Sequence, residues 1–460
     1  MQLPKDIKSY CILNDILISL PKLINTLTTL SINMRQVEKH IIKEGHDWFD
    51  YCSDITTISR QLYNTAQFTQ RQGFFYGWGT QSQASLDSLF KQNENYKALP
   101  AKVAQLVLKQ NADAWIAYYK ALVAYKLEPT KFTGRPKPPN YVDDKNLIKF
   151  NNQAIGKKEF SKGSVVPSMS PIRIPVKPGL KFEDLCEVRI IPKTGCFVIE
   201  IVYEITELSE FFCSLNPELN AAIDIGLDNL ATIVFNDLAI QPIIVNGKPL
   251  KSANQFYNKQ VAKFRGFLPH GKAKSRRIAN IVRNRNQFID SYLHQSTKMI
   301  VDELLSLGIT HVSIGKNEQW KTRLNLGKRT NQNFTQIPHA IFIEMLTYKL
   351  VRVGITVKVA EESYTSKASA IDWDIIPTYQ PNNKIKHVFS GKRVKRAWYI
   401  SKNGLKIHAD VNAGYNIGRK SNPEGFDCLQ SILRDRGCLV VHPRRITPLF
   451  KRVHAESRVA

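Results

Sequence analysis

The sequence predicts a multidomain α/β protein, and three observations carry that expectation. Apolar residues keep a helical spacing from about Val37 to Lys126, short strand-like runs follow between Leu147 and Tyr203, and from Asn220 three close-set strands give way to alternating strands and helices. The 460 residues leave room for roughly two to four domains, and 43% apolar content with 10% aromatics can fill their cores. Disordered and fibrous classes are excluded.

In the helical region Val103, Val107, Ala114, Tyr118, Leu122 and Tyr125 fall on one face, and Pro100 suits a first turn. Phe74, Phe75, Tyr76 and Trp78, beside Gln70 and Arg71, are expected in the core, with stacking on nucleobases as the other reading. The run from Lys131 to Pro139 is an extended basic linker, because its Pro and Gly residues disfavour a helix. Strands are expected at Leu147–Phe150, Ile172–Val176, Cys186–Ile191 and Cys196–Tyr203, and a small β-barrel is the natural way to close such a set. Ala221–Ile225, Leu230–Phe235 and Ile240–Val245, separated by close turns, form an antiparallel meander. A basic helical stretch spans about Asn254–Leu307. A strand (Thr310–Ile314), a helix (about Ile341–Val353), a strand (Ile355–Ala360) and a helix from Val411 complete the series. Three hairpin-linked strands followed by strand, helix, strand, helix is the order of a ribonuclease H-like domain.

Sixty-five Lys and Arg against 39 Asp and Glu leave a net charge of +26, which implies a polyanionic partner, nucleic acid before an acidic membrane. The seven cysteines (Cys11, Cys52, Cys186, Cys196, Cys213, Cys428, Cys438) are scattered, with no CxxC, so neither a disulfide framework nor a zinc ribbon is written here. Polar residues interrupt Cys11–Met34 before a span of about 20 apolar residues is reached. A soluble protein of the bacterial cytoplasm, associated with the nucleoid and not with a membrane, is expected.

The chemistry must come from carboxylates. Asp224 lies within the strand Ala-Ala-Ile-Asp-Ile-Gly-Leu, where an acid among apolar neighbours is costly unless something pairs it, and a metal ion would. Asp410, in Ile407-His-Ala-Asp-Val-Asn-Ala-Gly, starts a helix, so an N-cap is the competing role.

Four stretches carry a resemblance: Ala222-Ile-Asp-Ile-Gly-Leu-Asp-Asn-Leu-Ala-Thr232, Asn325-Leu-Gly-Lys-Arg-Thr-Asn-Gln-Asn-Phe334, Glu361-Glu-Ser-Tyr-Thr-Ser-Lys367 and Ala409-Asp-Val-Asn-Ala413. Weaker echoes are Leu62-Tyr-Asn64 and Val440-Val-His-Pro443. In these the chain resembles the TnpB (OrfB) proteins of insertion sequences, whose RuvC-like nuclease domain is related to that of type V CRISPR effectors. The resemblance covers about residues 34–450. It implies an RNA-guided DNA endonuclease of a transposable element, directed by a guide RNA from the element's own end to double-stranded DNA beside a short target-adjacent motif. It implies a β-barrel wedge domain with a helical recognition insertion, followed by a ribonuclease H-like (RuvC) domain. Segmented accordingly, residues 1–33 are an N-terminal extension, or the product of an upstream start codon. Residues 34–128 are the helical recognition region with the first wedge strand, 129–215 the wedge barrel and 216–420 the RuvC-like domain, with 421–460 a tail. Within the nuclease domain, 254–307 is a basic bridging region and 366–409 an insert. A pair of divalent ions, Mg²⁺ or Mn²⁺, is implied, held by acids among which Asp224 and Asp410 match the first and third of the family.

The second acid departs from the family pattern, because the run His311-Val-Ser-Ile-Gly-Lys-Asn317 places Gly315 where relatives carry a Glu. The neighbouring strand ends in Glu361-Glu362, and adjacent strands lie only about 4.8 Å apart, so a relocated acid can reach the same point. Glu362, three residues before Thr365, matches relatives with a rearranged site; strand alternation, with Val357, Val359 and Glu361 on one face, favours Glu361. Both remain candidates, against a plain solvated strand end. Thr365 and Ser366 are placed to orient a phosphate or water. Many relatives carry a four-cysteine ribbon where residues 366–409 have no cysteine, so no structural zinc is expected.

Lys272, Lys274, Arg276, Arg277, Arg283 and Arg285 on the basic stretch, with Lys316, Lys321, Arg323, Lys328 and Arg329, are expected to neutralise phosphates. Lys392, Arg393, Lys395 and Arg396 in the insert contact nucleic acid or close the site, an ordinary solvated loop being the alternative. Two rival functions remain: a cleavage-deficient RNA-guided DNA-binding repressor, which Gly315 favours, and a transposase that joins strands, since ribonuclease H-like domains also serve that chemistry.

Overall fold

Met34–Lys43 is a strand, β1, where the apolar spacing from Val37 predicts a helix and the resemblance implies a first wedge strand within residues 34–128. It pairs antiparallel along its whole length with β6 (Cys196–Ile205), from Met34 opposite Ile205 to Lys43 opposite Cys196. Pairing on that scale outweighs the local helical spacing that begins at Val37. The computed structural model describes residues 34–205, 215–316, 336–379, 386–427, 430 and 443–448, and the chain divides between Glu207 and Leu208 into two units.

In the first unit β2 (Ile148–Asn151), β5 (Leu185–Lys193) and β6 continue an antiparallel sheet in the order β1-β6-β5-β2. β3 (Ser164–Val165) and β4 (Ile174–Pro175) form a separate two-stranded ladder, with the short helix α5 (Lys157–Ser161) before it. The expected barrel is not closed by backbone pairing among the described residues, since β1 and β2 are the two edges of an open sheet. Helices α1 (Phe49–Phe75), α2 (Gln83–Phe90), α3 (Glu94–Lys97) and α4 (Ala101–Leu127) share one core with it, in which Leu62, Val103, Leu108, Ile148 and Ile199 are buried. The linker is extended for a visible reason. Side-chain amides of α1 take the place of a neighbouring strand: Asn64 exchanges two 2.9 Å hydrogen bonds with the Val142 backbone, and buried Gln67 donates to Pro139 O at 2.6 Å. The Gln67 carbonyl in turn accepts from Asn111 (2.8 Å) and the Trp115 indole (3.0 Å), so no polar atom of that side chain is left unpaired in the core.

The second unit is built on a six-stranded sheet in the order β11-β10-β7-β8-β9-β15. β7 (Asn216–Ile225), β8 (Asn229–Phe235) and β9 (Ile243–Asn246) form the expected meander. β10 (Ile309–Lys316) lies parallel to β7, and β11 (Thr356–Glu361) parallel to β10. β15 (Arg444–Ile446) adds a parallel edge beside β9 that no sequence signal announced. The basic stretch is two helices, α6 (Lys248–Arg265) and α7 (Arg276–Ser306), because Gly266, Pro269 and Gly271, at φ +83°, end the first. α7 and α8 (His339–Arg352) cover one face of the sheet, where Ile223, Ile225, Leu293 and Phe342 are buried. The other face packs Ala222 and Val234 against Val411 and Tyr415 of α9 (Ala409–Ser421), which the short α10 (Pro423–Phe426) follows. Three small strands, β12 (Lys392–Lys395), β13 (Trp398–Ile400) and β14 (Lys406–His408), lead into α9. Among the described residues no helix is long and apolar enough to cross a membrane.

Candidate carboxylate centre and nucleic-acid interface

Strand alternation decides which side chains of the central strands face α9. Ala222 packs on that side, so Asp224, two residues on, points the same way. The turn after it, Gly226–Asp228, is tight: a side chain on Gly247 would stand 2.1 Å from Leu227 O, so only glycine lets the start of α6 approach. The result is a cavity of about 560 Å³ lined by Asp224, Asp228, Asn229 and Asp410 together with Lys248, Arg393, Arg396, His408 and Arg445.

Asp224 keeps a little surface toward this cavity, yet protein surrounds it. Burial, and then the negative charges of Asp410 and Glu362, push its carboxyl well above the usual carboxylate range, with Arg393 opposing. Asp410 is not the N-cap of α9. His408 holds that place, its Nδ1 accepting from Asp410 N at 3.3 Å, while Asp410 stands in the first turn with its carboxylate free to face the cavity. Asn229 donates to Asp410 Oδ2 at 2.7 Å, and Arg393 lies 3.4 Å from Oδ1. Burial, reinforced by Arg445 and Arg393 and opposed by Asp410, lowers the affinity of His408 for a proton, which suits a ring nitrogen that accepts a hydrogen bond.

The two candidate second acids part company in the structure. Glu361 is spent locally: Lys420 of α9 bonds to its Oε2 and Ser363 N to its Oε1, and although burial works against it, these partners hold the carboxyl below its usual range. Glu362 goes to the centre, where it acts on Asp224. A Cβ built on Gly315 would stand 3.0 Å from Glu362 Oε2 and 2.5 Å from Ile417 Cδ1. The missing side chain at Gly315 is therefore the space that Glu362 enters. The segment after Glu362 is pinned by two fully buried asparagines of α9: Asn412 bonds Ala370 N (2.9 Å) and Ala368 O (2.8 Å), and Asn416 bonds Thr365 O (2.9 Å). Thr365 does not face a substrate, because it is buried and its hydroxyl donates to Glu362 O at 2.8 Å. Ser366 is exposed. Among the described residues, no three carboxylate, imidazole or thiol groups are gathered, as placed, into a group that could hold a metal ion.

The insert is stitched by carboxylates. Asp374 accepts from Ser369 N (2.8 Å), Ser390 N (3.0 Å) and Ser390 Oγ (2.5 Å), while Arg419 donates to Asp374 O (2.9 Å) and lies 3.9 Å over the Trp373 ring. Of the basic candidates, Lys272, Lys274, Arg276, Arg277, Lys316, Lys392 and Lys395 are exposed, and Arg277 stacks 4.1 Å over Phe264. Arg285 is withdrawn from the surface role: its guanidinium bonds Asn254 Oδ1 (2.8 Å) and Gln336 O (2.7 Å). Arg283 is part-buried and donates to Asn280. Arg393 and Arg396 line the carboxylate cavity, Arg396 pairing with Asp228 at 2.5 Å. Lys321, Arg323, Lys328 and Arg329 lie outside the described residues. The aromatic run is divided: Phe74 packs on Trp115 and Tyr118, but Phe75, Tyr76 and Trp78 are exposed, which corrects the core expectation for those three.

Asp228 and Asn229 lie inside a quoted motif and were legible as contacts in hindsight; Arg445, on an edge strand formed far along the chain, had no sequence signal at all.

A model of the OrfB_IS605 family, described as "Probable transposase", matches residues 206–321, and one described as "Cas12f1-like, TNB domain" matches residues 339–417. Both fall within the carboxylate-bearing part of the chain. Over residues 206–321 that part is similar to the TnpB (OrfB) family. No curated protein matches the sequence. Among solved structures, a Cas12f1–sgRNA–target DNA complex is similar at 16% identity and a TM-score of 0.43, over 82% of this chain and 83% of that one. A ternary complex of AacC2c1 with sgRNA and extended non-target DNA is similar at 9% identity and a TM-score of 0.35, over 76% and 64%. Likenesses of that size carry no argument, and the similarity rests on the two family models.

Proposed function

We propose that the chain is an RNA-guided, metal-dependent DNA endonuclease of a transposable element, cutting double-stranded DNA beside a short target-adjacent motif. One observation carries the reading: Asp410 and Glu362, from two other elements, both act on Asp224 at one end of the sheet, with Gly315 leaving the room that Glu362 needs. Strand order and direction support a ribonuclease H-like, RuvC-type domain, and the first unit takes the wedge and recognition roles under this reading.

The donor set fits a hard divalent ion such as Mg²⁺ or Mn²⁺, because oxygen ligands with mutually repelling charge are relieved by one. Asp224, Glu362 and Asp410 would hold it, and bound there it supplies Lewis acidity toward a phosphodiester. The chain's own residues do the rest. Asn229 orients Asp410, the asparagines of α9 fix the segment behind Glu362, and Lys248, Arg396 and Arg445 offer the cavity positive charge for a phosphate. The net charge of +26 suits guide RNA and target DNA as partners, with affinity falling steeply as salt rises.

The test is cleavage of a plasmid library with randomised bases beside a programmed target, using protein produced with RNA from its own flanking DNA, in Mg²⁺, with Asp224→Ala as control. Selective loss of one flank by the unaltered protein alone is expected. Capture of a subset of the library without loss would instead favour a guided DNA-binding repressor, and joined strands in place of cut ends would favour a transposase.

A further inference from the structure

We propose that Arg393 is a resident counter-cation of the carboxylate centre, which a divalent ion displaces from Asp410 on loading; the proposal rests on the metal-dependent reading above. Arg393 comes from β12, far in sequence from Asp224, and its guanidinium stands 3.4 Å from Asp410 Oδ1. The other Asp410 oxygen is already taken by Asn229 at 2.7 Å. Arg393 is also the cation that offsets the repulsion among the acids around Asp224.

The segment carrying it is held at both ends. Ser390 is tied to Asp374 by its N (3.0 Å) and Oγ (2.5 Å), and Arg396 is paired with Asp228, which Lys251 also holds at 3.0 Å. Arg393 itself donates to Arg396 O across the turn into β13. The guanidinium is thus presented to the acids by an anchored strap, not by a wandering loop. Arg445, which lines the same cavity, is turned onto Asn229 Oδ1 at 3.0 Å and does not compete in this way.

Two cations that need the same carboxylate oppose each other's binding by the same factor in both directions. A single charge a few ångströms from a divalent ion, at the effective dielectric of a half-open site, changes affinity by about tenfold or more. Metal loading and withdrawal of the Arg393 guanidinium from Asp410 are therefore one equilibrium.

The experiment is Mn²⁺ titration of the full chain, with free Mn²⁺ read by electron paramagnetic resonance. Arg393→Gln should bind about tenfold more tightly than the unaltered chain, and Arg393→Lys, which keeps the charge, within about threefold of it. Asp224→Asn should lose the ion, which locates it. If Asp224→Asn loses the ion but Arg393→Gln binds no more tightly, the counter-cation idea is overturned and the metal site stands. If Asp224→Asn binds as well as the unaltered chain, the metal site itself fails and the proposal with it.

Discussion

The two ends of the central sheet in the second unit hold cavities of similar size, about 560 Å³ at the carboxylate end and about 630 Å³ at the other, and both are lined by polar side chains of β7. They differ in how those side chains are satisfied. At the far end Asn236 Oδ1 accepts from Asn220 N (2.8 Å), Asn236 Nδ2 donates to Glu218 O (2.7 Å), and Asn422 donates to Asn220 Oδ1 (3.1 Å). Lys358 is spent on Ser421 O at 2.6 Å. That network closes on itself. At the carboxylate end the charges of Asp410 and Glu362 both act against that of Asp224, and Arg393 opposes them. Polar lining alone does not mark a site; charge that the protein does not fully neutralise does.

The largest effect should come from the acid that is least neutralised. Asp224→Asn should lower guided cleavage by about two to three orders of magnitude, the scale on which a pre-placed charge acts, while RNA binding stays within about twofold. It should also raise the melting temperature in chelator. Because burial and the neighbouring acids raise the folded carboxyl above its unfolded value, Asp224 loses stability as pH rises from the unfolded value through the folded one. The advantage of Asn over Asp should therefore grow from about pH 4 upward. An advantage that shrinks with pH would break the comparison.

Glu362→Gln should reduce cleavage as far as Asp224→Asn, whereas Glu361→Gln should leave it within a few-fold and cost about 1 kcal/mol of stability by losing its pair with Lys420. Its pH signature is opposite in sign: a carboxyl held below its usual range stabilises above the unfolded value, and that contribution is lost as pH falls through the folded one. Parallel assays of the two Gln variants and their acid melts decide the matter. Gly315→Ala comes next. Its methyl would press on Ile417 and Glu362, costing about 1–3 kcal/mol and lowering cleavage roughly tenfold, measurable by urea unfolding and turnover. The smallest effect on chemistry belongs to the far end: Asn422→Ala should cost about 1–2 kcal/mol and leave cleavage unchanged. Lost activity there would mean that the closed network is also functional.

Much of the second unit was legible along the chain. Its strand order followed from turns after Ile225 and Phe235 and from the change of period beyond, and Asp224 stood out as an acid in an apolar strand. The first strand of the chain was not legible in its own spacing and was implied only by the resemblance, since β1 is specified by its partner β6. Alternation misled at the Glu pair for a related reason: apolar Val357 packs toward α7 and α8, so the face that matters is the one shared by Lys358 and Ala360, on the side of α9.

By itself the sequence determined the alternation of strands and helices, the excess of positive charge and the identity of the acids, because these depend on residues near one another in the chain. Only the tertiary structure decided that Glu362 and not Glu361 acts on Asp224, that Glu362 takes the space beside Gly315, and that Arg393 stands against Asp410. Each of those depends on side chains brought together from elements tens to hundreds of residues apart, where direction and volume, and not order along the chain, set what touches what.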